Sequence, residues 1–171
     1  MGTHARRVVV AGTAGFIGRG IVGRLAREAF EVVAVDRVDE PCGLPPGVRY
    51  HRADLSDPEG LLPGDAADSG DFDLIHLAWE LARGPRWRGQ AACVSQLAGL
   101  LDRWGPERLG HCVVFGSADE YGARGGTIRE TDPPLAPLAP YGWGKRAAYR
   151  MVEGWAEGAG PPAAEGVRAA G

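Results

Sequence analysis

Tyr141 and Lys145 stand four residues apart in the stretch YGWGK, and Lys145 is the only lysine among nineteen basic residues in a chain of 171. On a helix this spacing puts phenol and ammonium on one face. A free phenol titrates near ~10, so it works as a base near neutrality only where positive charge stabilises the phenolate. Lysine suits that task because its compact ammonium rides on a flexible stem, whereas a guanidinium spreads its charge over a rigid fork. The pair is therefore suited to moving a hydroxyl proton. On a plain surface helix the same residues would do no chemistry: Tyr141 would pack on the preceding prolines and Lys145 would be solvated.

A second set of residues points to an anion. GTAGFIG places glycines at 12, 15 and 18, directly after a β-branched run. Gly12 allows a tight turn, Gly15 lets the backbone approach a pyrophosphate, and Gly18 permits close packing of helix on strand. Phe16 and Ile17 open the helix whose N-terminal amides and partial positive charge would meet the anion. Asp36 closes the next apolar run. It lies roughly 20 residues past the turn, where a carboxylate accepts hydrogen bonds from the hydroxyls of an adenosine ribose. A phosphate on that ribose would be repelled, so the pattern favours NAD over NADP. Arg37 offers a cation to such a phosphate and leaves dual use open. With 27 glycines in the chain the triplet alone is weak; its place between strand and helix strengthens it.

The elements that must hold these residues follow from periodicity. RVVVAG (7–12) and EVVAVD (31–36) read as strands, and their continuous apolar character suits parallel strands covered on both faces. VRYHRADL (48–55), FDLIHLAW (72–79) and GHCVVFGSA (110–118) are three further strand candidates. Ile17, Ile21, Leu25 and Ala29 repeat at helical spacing, as do Ala92, Gln96, Leu97, Leu100, Leu101 and Trp104 before Gly105-Pro106. The proline-dense TDPPLAPLAP (131–140) delivers the chain to a helix starting near Tyr141. Two early glycines, Gly142 and Gly144, weaken that helix by propensity, so tertiary packing must hold its first turn. Alternating strands and helices predict an α/β fold, a doubly wound parallel sheet of the Rossmann type with three layers. It forms one domain over 1–171, with an ordered core at about 6–157 and a small, proline-interrupted tail at 158–171.

Composition narrows the partners. Apolar residues make up 44% and charged residues 24%, with a formal net charge of −3. There is no basic excess to suggest nucleic acid, which leaves small molecules. Cys42, Cys93 and Cys112 are too widely spaced for a disulfide framework or a zinc site and are expected to be reduced thiols. The N-terminal apolar run is short and cut by glycines, so neither a signal peptide nor a membrane span is expected. Gly2 lacks the Ser or Thr that a myristoylation motif requires, because Arg6 stands there. A cytoplasmic location follows as the expectation.

Taken in order, the G-x-x-G-x-x-G turn, Asp36, ADL (53–55), HLAW (76–79), FGSADEYG (115–122) and the Tyr141-x-x-x-Lys145 pair resemble the extended short-chain dehydrogenase/reductase family. This is the family of NAD-dependent sugar-nucleotide epimerases and dehydratases, and the matches run from residue 7 to about 155. The resemblance implies NAD as cofactor and a small-molecule substrate such as a nucleotide sugar. It implies that Asp54 contacts the adenine amino group with the Leu55 amide beside it, and that Leu77 and Ala78 line the ribose and nicotinamide side. Without the resemblance, Asp54 reads as a strand-end carboxylate capping the next turn. Ser117 is in register with the family's catalytic Ser/Thr, which implies a Ser117–Tyr141–Lys145 triad for hydride transfer, with Lys145 also donating to the ribose hydroxyls. Related enzymes pair through two long helices, here 85–104 and 141–157, where Trp104, Trp143 and Trp155 would serve either a homodimer or the core.

Three features depart from the family pattern. Dehydratase-like members carry a glutamate two residues after the Ser/Thr; here Asp119 takes that register and Glu120 follows it. Both are candidate acid/base groups, or two solvated loop acids, and oxidation-reduction or epimerisation is the favoured chemistry. Cys93 stands where the family usually has an asparagine, and Gln96 where a small residue is common. Finally, GVRAAG (166–171) resembles the opening of a sixth strand, after which the family continues into a substrate-binding subdomain. Three expectations result: an oxidoreductase or epimerase completed by another subunit or acting on a small substrate, an NAD-binding protein without turnover, or a truncated remnant.

Overall fold

The computed structural model describes residues 6–28, 30–39, 43–64, 71–81, 86–159 and 167–170. Expectations for Gly2, Ala29 and Cys42 lie outside the described residues. The elements, in chain order, are strand β1 (Arg7–Ala11), helix α1 (Phe16–Arg27), strands β2 (Glu31–Asp36), β3 (Arg49–Arg52) and β4 (Phe72–His76), helix α2 (Trp87–Arg108), strand β5 (Leu109–Phe115), helix α3 (Pro140–Ala159) and strand β6 (Val167–Ala170). They form one sheet in the order β3-β2-β1-β4-β5-β6. Every pairing is parallel. The order reverses between β1 and β4, so a crevice opens beyond the carboxyl ends of these strands, where such sheets bind ligands.

The β-branched runs become strands because both of their faces are buried. Val8, Val10, Val32 and Ala34 pack with Val22 of α1 on one side. Val9, Val33 and Val35 point the other way, into a cluster with Leu97, Leu100 and Leu101 of α2 and Ala148 and Val152 of α3. Each of these Val and Leu side chains contributes roughly 1.5–3 kcal/mol relative to leaving it in water. Trp104 belongs to this core, its ring edge-on to Phe72 at 5.1 Å, and Trp155 packs partly buried against it. Trp143 is exposed.

Element boundaries differ from the sequence expectation at the strand ends that build the crevice. β3 stops at Arg52, and β4 stops at His76 because the Leu77 and Ala78 amides turn back to donate to Ala11 O, at 2.8 and 3.0 Å. β5 stops at Phe115, before a 3-10 turn over Ala118–Tyr121. α2 starts at Trp87 and runs past the predicted stop, but it is broken at Gly105, whose φ of 55° only glycine takes readily. α3 opens on Pro140, which tolerates the first helical position because its missing N–H would have no intrahelical partner.

The two glycines that weaken α3 have packing reasons. A Cβ on Gly142 would lie 2.6 Å from Asp119 O, and one on Gly144 would lie 2.9 Å from Gln90 Cβ. α3 can seat on the 3-10 turn and on α2 only without them. Residues 158–171, expected to form a tail, include the last turn of α3 and β6, which takes the free edge of β5 in parallel register from Cys112↔Val167 to Phe115↔Ala170. Backbone pairing to an open edge orders a segment whose composition gives little signal of its own.

Candidate functional site

The glycine turn is built for close approach. Gly12 has φ of 94°, and a Cβ there would sit 2.5 Å from Ala78 N; one on Gly18 would sit 2.7 Å from Thr13 Cα. The fold itself therefore excludes side chains at 12 and 18. Gly15 is different: its φ of −69° suits any residue, and an added Cβ would meet only Gly12 O, at 3.5 Å. Among the described residues nothing requires glycine at 15, but Gly15 lines a cavity. It is also the N-cap of α1, whose first turn carries no acidic side chain and whose first intrahelical bond is Arg19 N to Gly15 O at 3.1 Å. The amides ahead of Arg19 have no intrahelical acceptor and, with the helix dipole, favour an anion. Phe16 and Ile17, at this mouth, are exposed.

The end of β2 ties this turn in place. Gly12 N donates to Val35 O at 2.9 Å, and Asp36 accepts from Ala14 N through Oδ2 and from Arg37 N through Oδ1, both at 2.8 Å. The cavity, of about 420 Å³, runs from Asp36, Arg37, Val38, Ala53, Asp54 and Leu55 past Gly12, Ala14 and Gly15 to Leu77, Ala78, Trp79, Cys93 and Gln96. Asp54 lines it and also caps the next turn, accepting from Ser56 N at 2.9 Å and Ser56 Oγ at 2.8 Å. Those bonds hold its carboxyl below the ordinary value. Asp54 thus makes the turn cap that the residues alone suggest, on a side chain that also lines the cavity. Cys93 is buried with its Sγ accepting from Glu80 N at 3.4 Å, and burial pushes its thiol up.

Ser117, Tyr141 and Lys145 come together beside this cavity but do not line it. Lys145 is 4% exposed; its Nζ donates to Phe115 O at 2.8 Å and lies 4.1 Å from the centroid of the Trp79 ring and 6.0 Å from that of Tyr141. Burial lowers its pKa from 10.5 to about 8, against the opposing pull of Glu120 and Cys93. The Tyr141 phenol is pushed up by burial; the nearby Ser117 side chain opposes this, and Asp119 and Glu120 add to it. Glu120 Oε1 accepts from Ser117 N at 2.6 Å while Ser117 Oγ accepts from Asp119 N at 3.2 Å, a capping box that starts the 3-10 turn. Burial raises the Glu120 carboxyl, opposed by its bond to the Ser117 amide. Glu120 is thus committed to the backbone, and Asp119 is exposed.

The sequence matches the family model of the NAD-dependent epimerases and dehydratases over residues 8–167. The chain belongs to that family. MoeE5, solved in complex with UDP-glucuronic acid and NAD, is similar to it at 29% identity and a TM-score of 0.74, over 95% of this chain and 52% of its own. A UDP-glucose 4-epimerase superposes with a TM-score of 0.78 over 90% of this chain and 48% of its own; at 22% identity that likeness speaks for the fold. Among curated proteins, the uncharacterized 37.6 kDa protein in the cld 5' region of Escherichia coli O111:H- is 26% identical over 174 residues, 92% of this chain and 52% of its own. The chain spans about half the length of the relatives it matches.

Within this family member, the sequence reading missed Trp79, Glu80 and Gln90. Trp79 Nε1 donates to Gln90 Oε1 at 2.7 Å and Gln90 Nε2 donates to Glu80 O at 3.0 Å. The available signal was a tryptophan three residues past a strand end, a costly side chain to leave at a crevice unless it has a partner there. Buried His76, directly before this segment, has both ring nitrogens without a hydrogen-bond partner among the described residues. Among the described residues, no helix is long and apolar enough to cross a membrane.

Proposed function

We propose that this chain is an NAD-binding unit of the epimerase/dehydratase family, and that binding rather than turnover is the function its geometry supports best. The observation that carries the reading is Gly15: the protein leaves the volume of its missing side chain free at the mouth of α1, which is the space a pyrophosphate needs. The residues present fit the group. The α1 amides and the Gly12–Gly15 backbone would hold the pyrophosphate. Asp36 would accept from the adenosine ribose, and Asp54 and Leu55 would flank the adenine. Leu77 and Ala78 would border the far ribose and nicotinamide. NAD is preferred to NADP because Asp36 faces the ribose, although Arg37 also lines the cavity. The NAD held by MoeE5 supports the same choice. When bound, NAD supplies reversible hydride exchange with a substrate carbon.

A titration with NADH and NADPH, read as energy transfer from tryptophan to nicotinamide, tests the proposal. Saturable binding of NADH in preference to NADPH is expected; a folded protein with no saturable signal contradicts it.

A second reading, hydride transfer by Ser117, Tyr141 and Lys145, is favoured by one observation: the only lysine is buried on the helix face it shares with Tyr141, its Nζ 6.0 Å from the centroid of that ring. Tyr141 would exchange the hydroxyl proton, Ser117 would hold the reacting oxygen, and Lys145 would orient the ribose. A nucleotide sugar is the substrate class, on the likeness to MoeE5. The dehydratase variant has less support, since the Glu120 carboxylate caps a turn. A second copy or another subunit would complete the substrate site, with exposed Trp143 of α3 as a contact. The NAD dependence suits a cytoplasmic protein. Loss of NADH turnover in Tyr141→Phe with NADH binding retained supports this reading, and equal rates overturn it.

A further inference from the structure

The Lys145 ammonium is held by two groups, the Phe115 carbonyl at 2.8 Å and the Trp79 ring at 4.1 Å. A desolvated ammonium over an indole face is attracted by the ring quadrupole, and among the aromatic side chains Trp provides the strongest such face. The indole is itself fixed. Its Nε1–H donates to Gln90 Oε1 at 2.7 Å, and the other end of that buried amide donates to Glu80 O at 3.0 Å, so both ends of Gln90 are used to hold one ring. Gly144 makes the arrangement possible, because a Cβ there would lie 2.9 Å from Gln90 Cβ and 3.4 Å from Trp79 Cζ2. Trp79 also lines the cavity, whereas Lys145 does not.

We propose that Trp79, clamped by Gln90, is the positioning residue for Lys145: it fixes the ammonium against the Phe115 carbonyl and stands as the wall between it and the dinucleotide cavity. The inference rests on the reading of Lys145 as a cofactor-facing group. It assigns to Gln90 and Gly144 the task of holding that wall. A ligand in the cavity then touches Trp79, and the orientation of one indole decides whether the triad and the cofactor are in register.

Because the chain has a single lysine, protein labelled with carbon-13 at lysine Cε gives one assignable signal. In the wild type its attached protons are expected upfield of free lysine, from the ring current of the indole. Trp79→Leu is expected to abolish that displacement, Trp79→Phe to restore part of it, and Gln90→Leu to reduce it by freeing the ring. Should Trp79→Leu fail to fold, Trp79→Phe and Gln90→Leu carry the same test. A wild-type signal at the free-lysine position, or one unchanged by Trp79→Leu and Gln90→Leu, overturns the proposal. Adding NADH to the same samples separates the two claims. A displaced signal that saturating NADH leaves unmoved supports the clamp and removes the cofactor-facing reading. A signal that NADH moves, without any upfield displacement, overturns the clamp and keeps that reading.

Discussion

The Asp36 carboxylate accepts the Ala14 amide at 2.8 Å, so the residue expected to face a ribose also holds the shape of the glycine turn. Its second oxygen accepts the Arg37 amide. The proposed ligand contact and the turn geometry therefore share one side chain, and they separate by substitution. Asp36→Ala removes both acceptors and is expected to cost about 1–3 kcal/mol of stability, as for hydrogen bonds to a charged group. Asp36→Asn keeps an acceptor but loses the charge. It is expected to remain closer to wild-type stability while narrowing the preference for NADH over NADPH. Denaturant melts and paired affinity measurements check both outcomes.

Protonating His76 should destabilise the fold from within. Burial, followed by the charge of Lys145, holds its pKa at about 4 rather than 6.5, so the fold favours the neutral ring. The unfolded chain binds the extra proton first on acidification. Stability from this group is complete above pH 6.5 and is lost as the pH falls towards about 4. The full loss is up to about 3 kcal/mol from one residue. His76→Leu should flatten the stability profile across that window, as measured by thermal melts at stepped pH.

Lys145 bears the opposite relation to base. Its pKa is lowered to about 8 from 10.5, chiefly by burial, so at neutral pH the fold carries a charge that the unfolded chain holds more cheaply. Stability should rise with pH between about 8 and 10.5, where the unfolded chain still binds the proton and the folded one releases it. Lys145→Met should raise stability at pH 7 by about 1–3 kcal/mol, as apolar replacements of buried ions do. It should also remove the alkaline rise. A melting temperature below that of the wild type would contradict this.

The parts of the molecule legible in sequence are those governed by local rules. RVVVAG and EVVAVD declare strands buried on both faces, and the spacing of Gly12, Gly15, Gly18 and Asp36 declares the turn they build. Gly105-Pro106 marks the break in α2. The remainder depends on contacts between distant segments. Gly142 and Gly144 read as helix weaknesses until Asp119 and Gln90 are seen against them. Tyr141 and Lys145 do share a helix, but the indole that receives the ammonium comes from the end of β4, 66 positions earlier in the chain. β6 is ordered by the edge of β5 and has no strong signal in its own four residues.

The most direct measurement compares Gly12→Ala with Gly15→Ala for thermal stability and NADH affinity. At position 12 the added methyl meets Ala78 N at 2.5 Å in a φ of 94°, so the variant should lose about 2 kcal/mol or more whether or not ligand is present. At position 15 the methyl would meet Gly12 O at 3.5 Å, an ordinary van der Waals contact. Stability should stay within about 1 kcal/mol, the ordinary scale of an N-cap change, while NADH affinity falls by about tenfold, the equivalent of ~1.4 kcal/mol. A Gly15→Ala variant that folds normally and binds NADH as tightly as the wild type would contradict the assignment of this turn as the pyrophosphate cradle.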